Sequence, residues 1–199
     1  VRLMTMTIRA ALAGRTGDCG ADEKNFHDAL SSGVKNDYLL GAYADFLIDQ
    51  GRPKEVVTLL QHENRADGLL SRITLAEHAI HLPASKNHTA ELAARFAAGR
   101  ERGTRVHVRE EARFTLALLH DSQTALTLAQ TNWEIQKEPW DARLLLETAL
   151  VSGSRQAAKP VIASLHINHV ADMCHNQMLA QISAEQSLYS YSSHSRFCF

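Results

Sequence analysis

Asp37-Tyr38-Leu39-Leu40-Gly41-Ala42-Tyr43-Ala44-Asp45-Phe46-Leu47-Ile48-Asp49, followed by Gln50-Gly51-Arg52-Pro53, is the stretch that decides the fold class. Leu40, Tyr43, Ala44 and Leu47 recur at the i, i+3, i+4, i+7 spacing, which predicts a helix with one apolar stripe. Gln50-Gly51-Arg52 ends it, because glycine takes the left-handed conformation that closes a helix at little cost. Pro53 suits the first turn of a second helix, where its missing N–H would have no helical partner anyway. Val56, Val57, Leu59 and Leu60 give that second helix a buried face of its own. Helices of about three turns are marginal in isolation, so a hairpin built from two of them needs neighbours to pack on.

Those neighbours are written outward from this segment. Gly17, Gly51 and Gly153 are separated by 34 and by 102 residues, and 102 is three times 34. A fixed period of that length is the mark of stacked helix–turn–helix units. Toward the C-terminus, Pro139-Trp140-Asp141 opens a helix through Leu144, Leu145, Leu146, Ala149 and Leu150, and Ser152-Gly153-Ser154 turns it. Ala157 to Leu165 then returns, with Pro160 expected to kink or shorten the helix. Arg105 to Leu119 and Asp121 to Gln136 form a further pair. There His120-Asp121 replaces the glycine turn, Asp121 is the expected N-cap, and the period slips by one residue. Ala66 to His81 and Thr89 to Arg102 both read as helices, with Leu82 to His88 expected as a longer inserted loop. The first unit, Leu3 to Ala29 around Gly17, is the weakest, since Asp22 and Lys24 fall on places that should be apolar. Weak patterning suits a terminal repeat that meets water on one side. Val170, Met173, Cys174, Met178 and Ile182 permit one more amphipathic helix, after which the chain turns serine-rich and aromatic. The expected fold is thus all-α: a right-handed solenoid of about five antiparallel hairpins over residues 1–166, then a capping helix and irregular tail over 167–199.

Composition sets bounds on function. Lys and Arg number 21 against 22 Asp and Glu, with 45% hydrophobic and 22% charged residues and only 4 prolines, which describes a globular rather than a disordered chain. Near neutrality removes the electrostatic case for a general nucleic-acid or anionic-membrane binder. No apolar stretch approaches the roughly 20 residues that a bilayer requires, so no membrane insertion is expected. Val1 to Ile8 is too short and polar for a signal-peptide core. A start on Val, entering a helical pattern at once, suggests a piece of a longer parent, although an alternative start codon explains the Val equally well. Cys19, Cys174 and Cys198 are odd in number and far apart, which gives no disulfide framework and mildly favours a reducing compartment.

Taken together these residues resemble the C-terminal part of a bacterial tetratricopeptide-repeat protein. That repeat places apolar or small residues at its fourth, seventh, eighth and eleventh places, glycine near the fifteenth, and apolar residues near the twentieth, twenty-fourth and twenty-seventh. Counted from Asp37 these are Leu40, Tyr43, Ala44, Leu47, Gly51, Val56, Leu60 and Glu63, of which only Glu63 departs. Counted from Pro139 they are Ala142, Leu145, Leu146, Ala149, Gly153, Ala158, Ile162 and Leu165. Counted from Val106 the fit is poorer, because Arg109 and Arg113 fall on the fourth and eighth places. The wording around Tyr38–Leu60 and Val108–Leu150 is also similar to bacterial repeat proteins of export or envelope locations, so cytoplasm and periplasm both stay open as compartments. The resemblance covers residues 3–166.

The resemblance implies a concave groove lined by the first helix of each hairpin, with the second, fifth, ninth and twelfth places facing a ligand. In this chain those are Tyr38, Gly41, Asp45 and Ile48; His107, Glu110, Phe114 and Ala117; and Trp140, Arg143, Glu147 and Leu150. The candidate partner-binding set is Tyr38, Asp45, His107, Phe114, Trp140, Arg143 and Glu147. Of these, Tyr38, His107, Phe114, Trp140 and Arg143 are expected to be solvent-accessible on one continuous face. Members that clamp a chaperone's C-terminal carboxylate carry Lys and Asn at the fifth and ninth places, which this chain lacks. The function implied is a non-catalytic protein- or peptide-binding scaffold, with a structural, self-assembling module as the alternative and an enzyme as a distant third.

Chemistry-bearing clusters are few. His78 and His81 stand at i, i+3 with His88 nearby, and His166, His169, Asp172, Cys174 and His175 form a second group; both have ligand types, and surface polarity explains them better than a metal. There is no Gly-x-Ser-x-Gly elbow, phosphate loop or Gly-x-Gly-x-x-Gly turn, and adjacent Glu110 and Glu111 would point about 100° apart on a helix. No catalytic residue, metal or cofactor is expected. Arg95, Arg100, Arg102, Arg105, Arg109 and Arg113, opposed by Glu101, Glu110 and Glu111, read as solvated helices with internal ion pairs, and less readily as an anion-binding patch.

Overall fold

In the computed structural model, the described residues are 19–31, 33, 36–63, 65–104, 107–167 and 178–182. Every regular element among them is a helix, with no strand. The chain divides between His107 and Val108 into two compact units. Gly17 and residues 1–18, the start of the expected first hairpin, lie outside the described residues, as does the tail beyond 182.

The first unit contains α1 (Cys19–Ser31), α2 (Asp37–Asp49), α3 (Pro53–Leu60), α4 (Asp67–Ala79) and α5 (Ala84–Glu101). Asn36 caps α2 by accepting the Leu39 N–H at 2.8 Å. Pro53 occupies the first turn of α3 as its missing donor allows. Phe26, Tyr43 and Phe46 weld α1 to α2, with ring centroids 5.0 to 6.2 Å apart. Each helix packs on the next from α1 to α5, and α2 also packs on α4. Nearly the whole circumference of α2 is therefore covered: Leu39, Leu40, Tyr43, Ala44, Phe46 and Leu47 are all buried.

The second unit contains α6 (Val108–Ala117), α7 (Ser122–Ile135), α8 (Pro139–Val151), a 3-10 turn (Arg155–Ala158) and α9 (Lys159–Ile167). Consecutive helices pack again, and α6 also meets α8. Asp121 caps α7 by accepting the Thr124 N–H at 3.0 Å. Leu126, Ala129, Trp133, Leu144, Leu145, Leu146, Ala149, Val161 and Leu165 form the core. Met178 and Ile182, in the described helical stretch 178–182, join it. Pro160 sits in the first turn of α9, where it breaks no hydrogen bond, so the helix starts there instead of kinking.

The turns carry the repetition. Gly51, Gly103 and Gly153 have φ of 67°, 68° and 69°, and His81 and His120 share that region at 57° and 56°. After α2, α4, α5 and α8 the closing bonds are the same: the N–H beyond the left-handed residue reaches back five residues (Arg52 to Leu47, Leu82 to Glu77, Thr104 to Gly99, Ser154 to Ala149) at 2.9 Å. This is the two-bond Schellman closure. At His120 the bond from Asp121 reaches back six residues, to Thr115, at 3.2 Å, which is the one-residue slip visible in the sequence.

One expectation fails. Leu82 to His88 is not an inserted loop, because α5 already begins at Ala84. Pro83 presets the turn at φ −58°, and the His88 Nδ1 sits 2.8 Å from the buried Glu77 carboxylate of α4, which holds that first turn in place. The hairpin turns after α2, α4, α6 and α8 fall at Gly51, His81, His120 and Gly153, in steps of 30, 39 and 33 residues. The span of three times 34 is real, but it is divided unevenly.

Candidate functional site

The candidate residues lie on α2 in the first unit, on α6 and α8 in the second, and at His107 between the last described turn and α6. Tyr38, in the first turn of α2, is 64% exposed. Asp45, two turns on, is 1% exposed and belongs to the interior. Its carboxylate accepts from Arg72 of α4 at 2.6 Å, and Arg72 also donates to the Gly68 carbonyl at 2.8 Å. Gly41 lies against this pair, where an added Cβ would rest in ordinary contact 3.4 Å from the Arg72 guanidinium carbon. The groove place that was expected to meet a ligand instead holds a buried ion pair joining α2 to α4.

His107 is exposed, with Nε2 3.7 Å from Asp67. Asp67 is also held by Arg95 at 2.7 Å, and Arg95 bonds in addition the Arg65 carbonyl and Glu91. The hydrogen bond that Arg95 donates to Asp67 raises the Arg95 pKa against the opposing pull of burial.

In the second unit, Phe114 is 2% exposed and Arg143 is 7% exposed, so neither forms part of an open surface. Val108, Glu111, Ala112, Phe114 and Thr115 are all buried, so α6 is covered on more than one side and Phe114 is enclosed with it. Arg143 lies beneath Trp140, with its guanidinium carbon 4.8 Å from the ring centroid and its Nε donating to Glu147 at 2.8 Å. Arg113 of α6 approaches the same ring at 5.8 Å. Trp140 and Glu147 are half-buried. The accessible candidates in the second unit are therefore Trp140 and Glu147, supported from below by Arg143 and from α6 by Arg113.

Residues that the periodicity passed over as misfits hold this surface together. Arg109 occupies a place where an apolar residue was expected, and it donates to Asp141 at 2.7 Å, to Gln136 at 2.7 Å and to Glu138 at 2.8 Å. Burial is the largest influence on its pKa and lowers it, but the charges of Asp141, Glu138 and Glu110 together outweigh that and the net direction is up. Asp141 also accepts from Asn132 at 2.6 Å and from the Glu138 backbone N–H at 2.8 Å, completing a capping box at the start of α8. Trp140 is thereby anchored next to a fully satisfied buried carboxylate. The available signal was charge at a distance: Asp45 and Arg72, Asp67 and Arg95, and Arg109 and Asp141 are opposite charges 27, 28 and 32 residues apart, close to one hairpin.

Among the described residues there is no group of three or more His, Cys, Asp or Glu placed to hold an ion. His88 is engaged with Glu77, His78 and His81 are exposed, and His169, Asp172, Cys174 and His175 lie outside the described residues. Among the described residues no helix is long and apolar enough to cross a membrane. No protein-family model matches the chain. No curated protein sequence matches it.

Proposed function

We propose that this chain is a non-catalytic scaffold of stacked tetratricopeptide-like hairpins that holds a protein or peptide segment on the face of its first helices. The observation that carries the proposal is the packing pattern repeated within each unit. α2 packs on α3, α3 on α4, and α2 on α4; α6 packs on α7, α7 on α8, and α6 on α8. First helices that touch across successive hairpins form a continuous wall, which is what a solenoid needs in order to present a long surface. Tyr38, His107, Trp140 and Glu147 are the contact residues in this reading. Asp45 with Arg72, Arg109 with Asp141, and Arg143 beneath Trp140 preorganise the wall and so lower the entropic cost of binding. Phe114 contributes from the core.

Photo-crosslinking residues placed singly at Tyr38 and Trp140, and for contrast at the exposed Thr58 and Thr127 of α3 and α7, test this in the native host. Capture of one and the same protein from both first-helix positions, and not from the second-helix positions, is the expected result. Equal capture from all four positions, or capture only of further copies of this chain, would overturn it.

A further inference from the structure

We draw no further inference here: the strongest candidate, the exposed apolar side chains at helix ends of the second unit, Leu119 and Val151 beside the turns after α6 and α8 and Ile135 and Ile167 at the ends of α7 and α9, is an unpartnered apolar surface and nothing in the structure shows what covers it.

Discussion

Replacing His81 by glycine should stabilise the protein. His81 closes α4 at φ 57° and is exposed, and its Schellman bonds, His81 N–H to the His78 carbonyl at 3.1 Å and Leu82 N–H to the Glu77 carbonyl at 2.9 Å, are backbone bonds that glycine keeps. A left-handed residue with a Cβ costs about 1–2 kcal/mol, and glycine removes that cost. Glycine also makes the unfolded chain more flexible, which takes back about 0.4–1 kcal/mol. The net gain is about 0.5–1 kcal/mol, or a rise of about 1–4 °C in melting temperature for a chain of this size. The mirror experiment is Gly51→Ala. Gly51 has φ 67° and nothing within 4 Å of an added Cβ, so any loss there comes from backbone conformation alone and should be about 1 kcal/mol. Urea unfolding followed by circular dichroism reads both, with an unchanged slope and a shifted midpoint as the sign of a pure stability change. A His81→Gly variant less stable than the parent, together with a neutral Gly51→Ala, would refute the shared left-handed turn.

Further outcomes follow from the buried charges and the exposed aromatics. Arg72→Ala should destabilise by about 3–5 kcal/mol, because the Asp45 carboxylate stays buried without its guanidinium; a cycle with Asp45→Ala should show strong coupling, and additive losses would mean that the pair does not act as one. Leu146→Asp, at a side chain with 0% exposure, should unfold the second unit, as a thermal melt would show. Hydrogen bonds from Arg52 hold the Glu23 and Glu55 carboxyls below their ordinary value of 4.5, and the Thr124 N–H holds Asp121 below 3.8. The stability these groups contribute is present above the ordinary values and is lost as pH falls through the lower folded ones, so an acid titration by NMR should find all three midpoints depressed, and ordinary midpoints would contradict the contacts. Tyr38→Ala should weaken binding of a crosslinked partner by about 1–3 kcal/mol with no change in melting temperature, whereas Trp140→Ala should lower both, since Trp140 also covers Arg143. Size measured over a concentration series addresses self-assembly, and a mass that rises with concentration would favour it over the scaffold reading.

Much of the fold was legible because turn chemistry is local. Gly51, Gly153, Pro53 and the Asp121 cap act through their own backbone, and each does in the structure what its residue type requires. His81 escaped because a histidine in the left-handed region looks like any exposed polar residue, and the missed turn made the start of α5 read as a loop. The accessibility of the candidate site was harder to read for a different reason. Whether Asp45 faces water depends on Arg72, a partner across a helix pair, and the burial of Phe114 and Arg143 depends on how much of α6 and α8 is covered all round, which a single helical face does not reveal.

The stacking of successive hairpins within a unit is the central claim, and the distance between neighbouring first helices tests it most directly. Spin labels at Tyr38, in the first turn of α2, and at Gly68, in the first turn of α4, mark first helices one hairpin step apart in the first unit. At about 8–10 Å per packed helix, side-by-side first helices predict labels close enough for strong dipolar broadening in continuous-wave electron resonance. Spectra without broadening, from labels more than about 20 Å apart, would mean that α2 and α4 do not stack, and would contradict the scaffold.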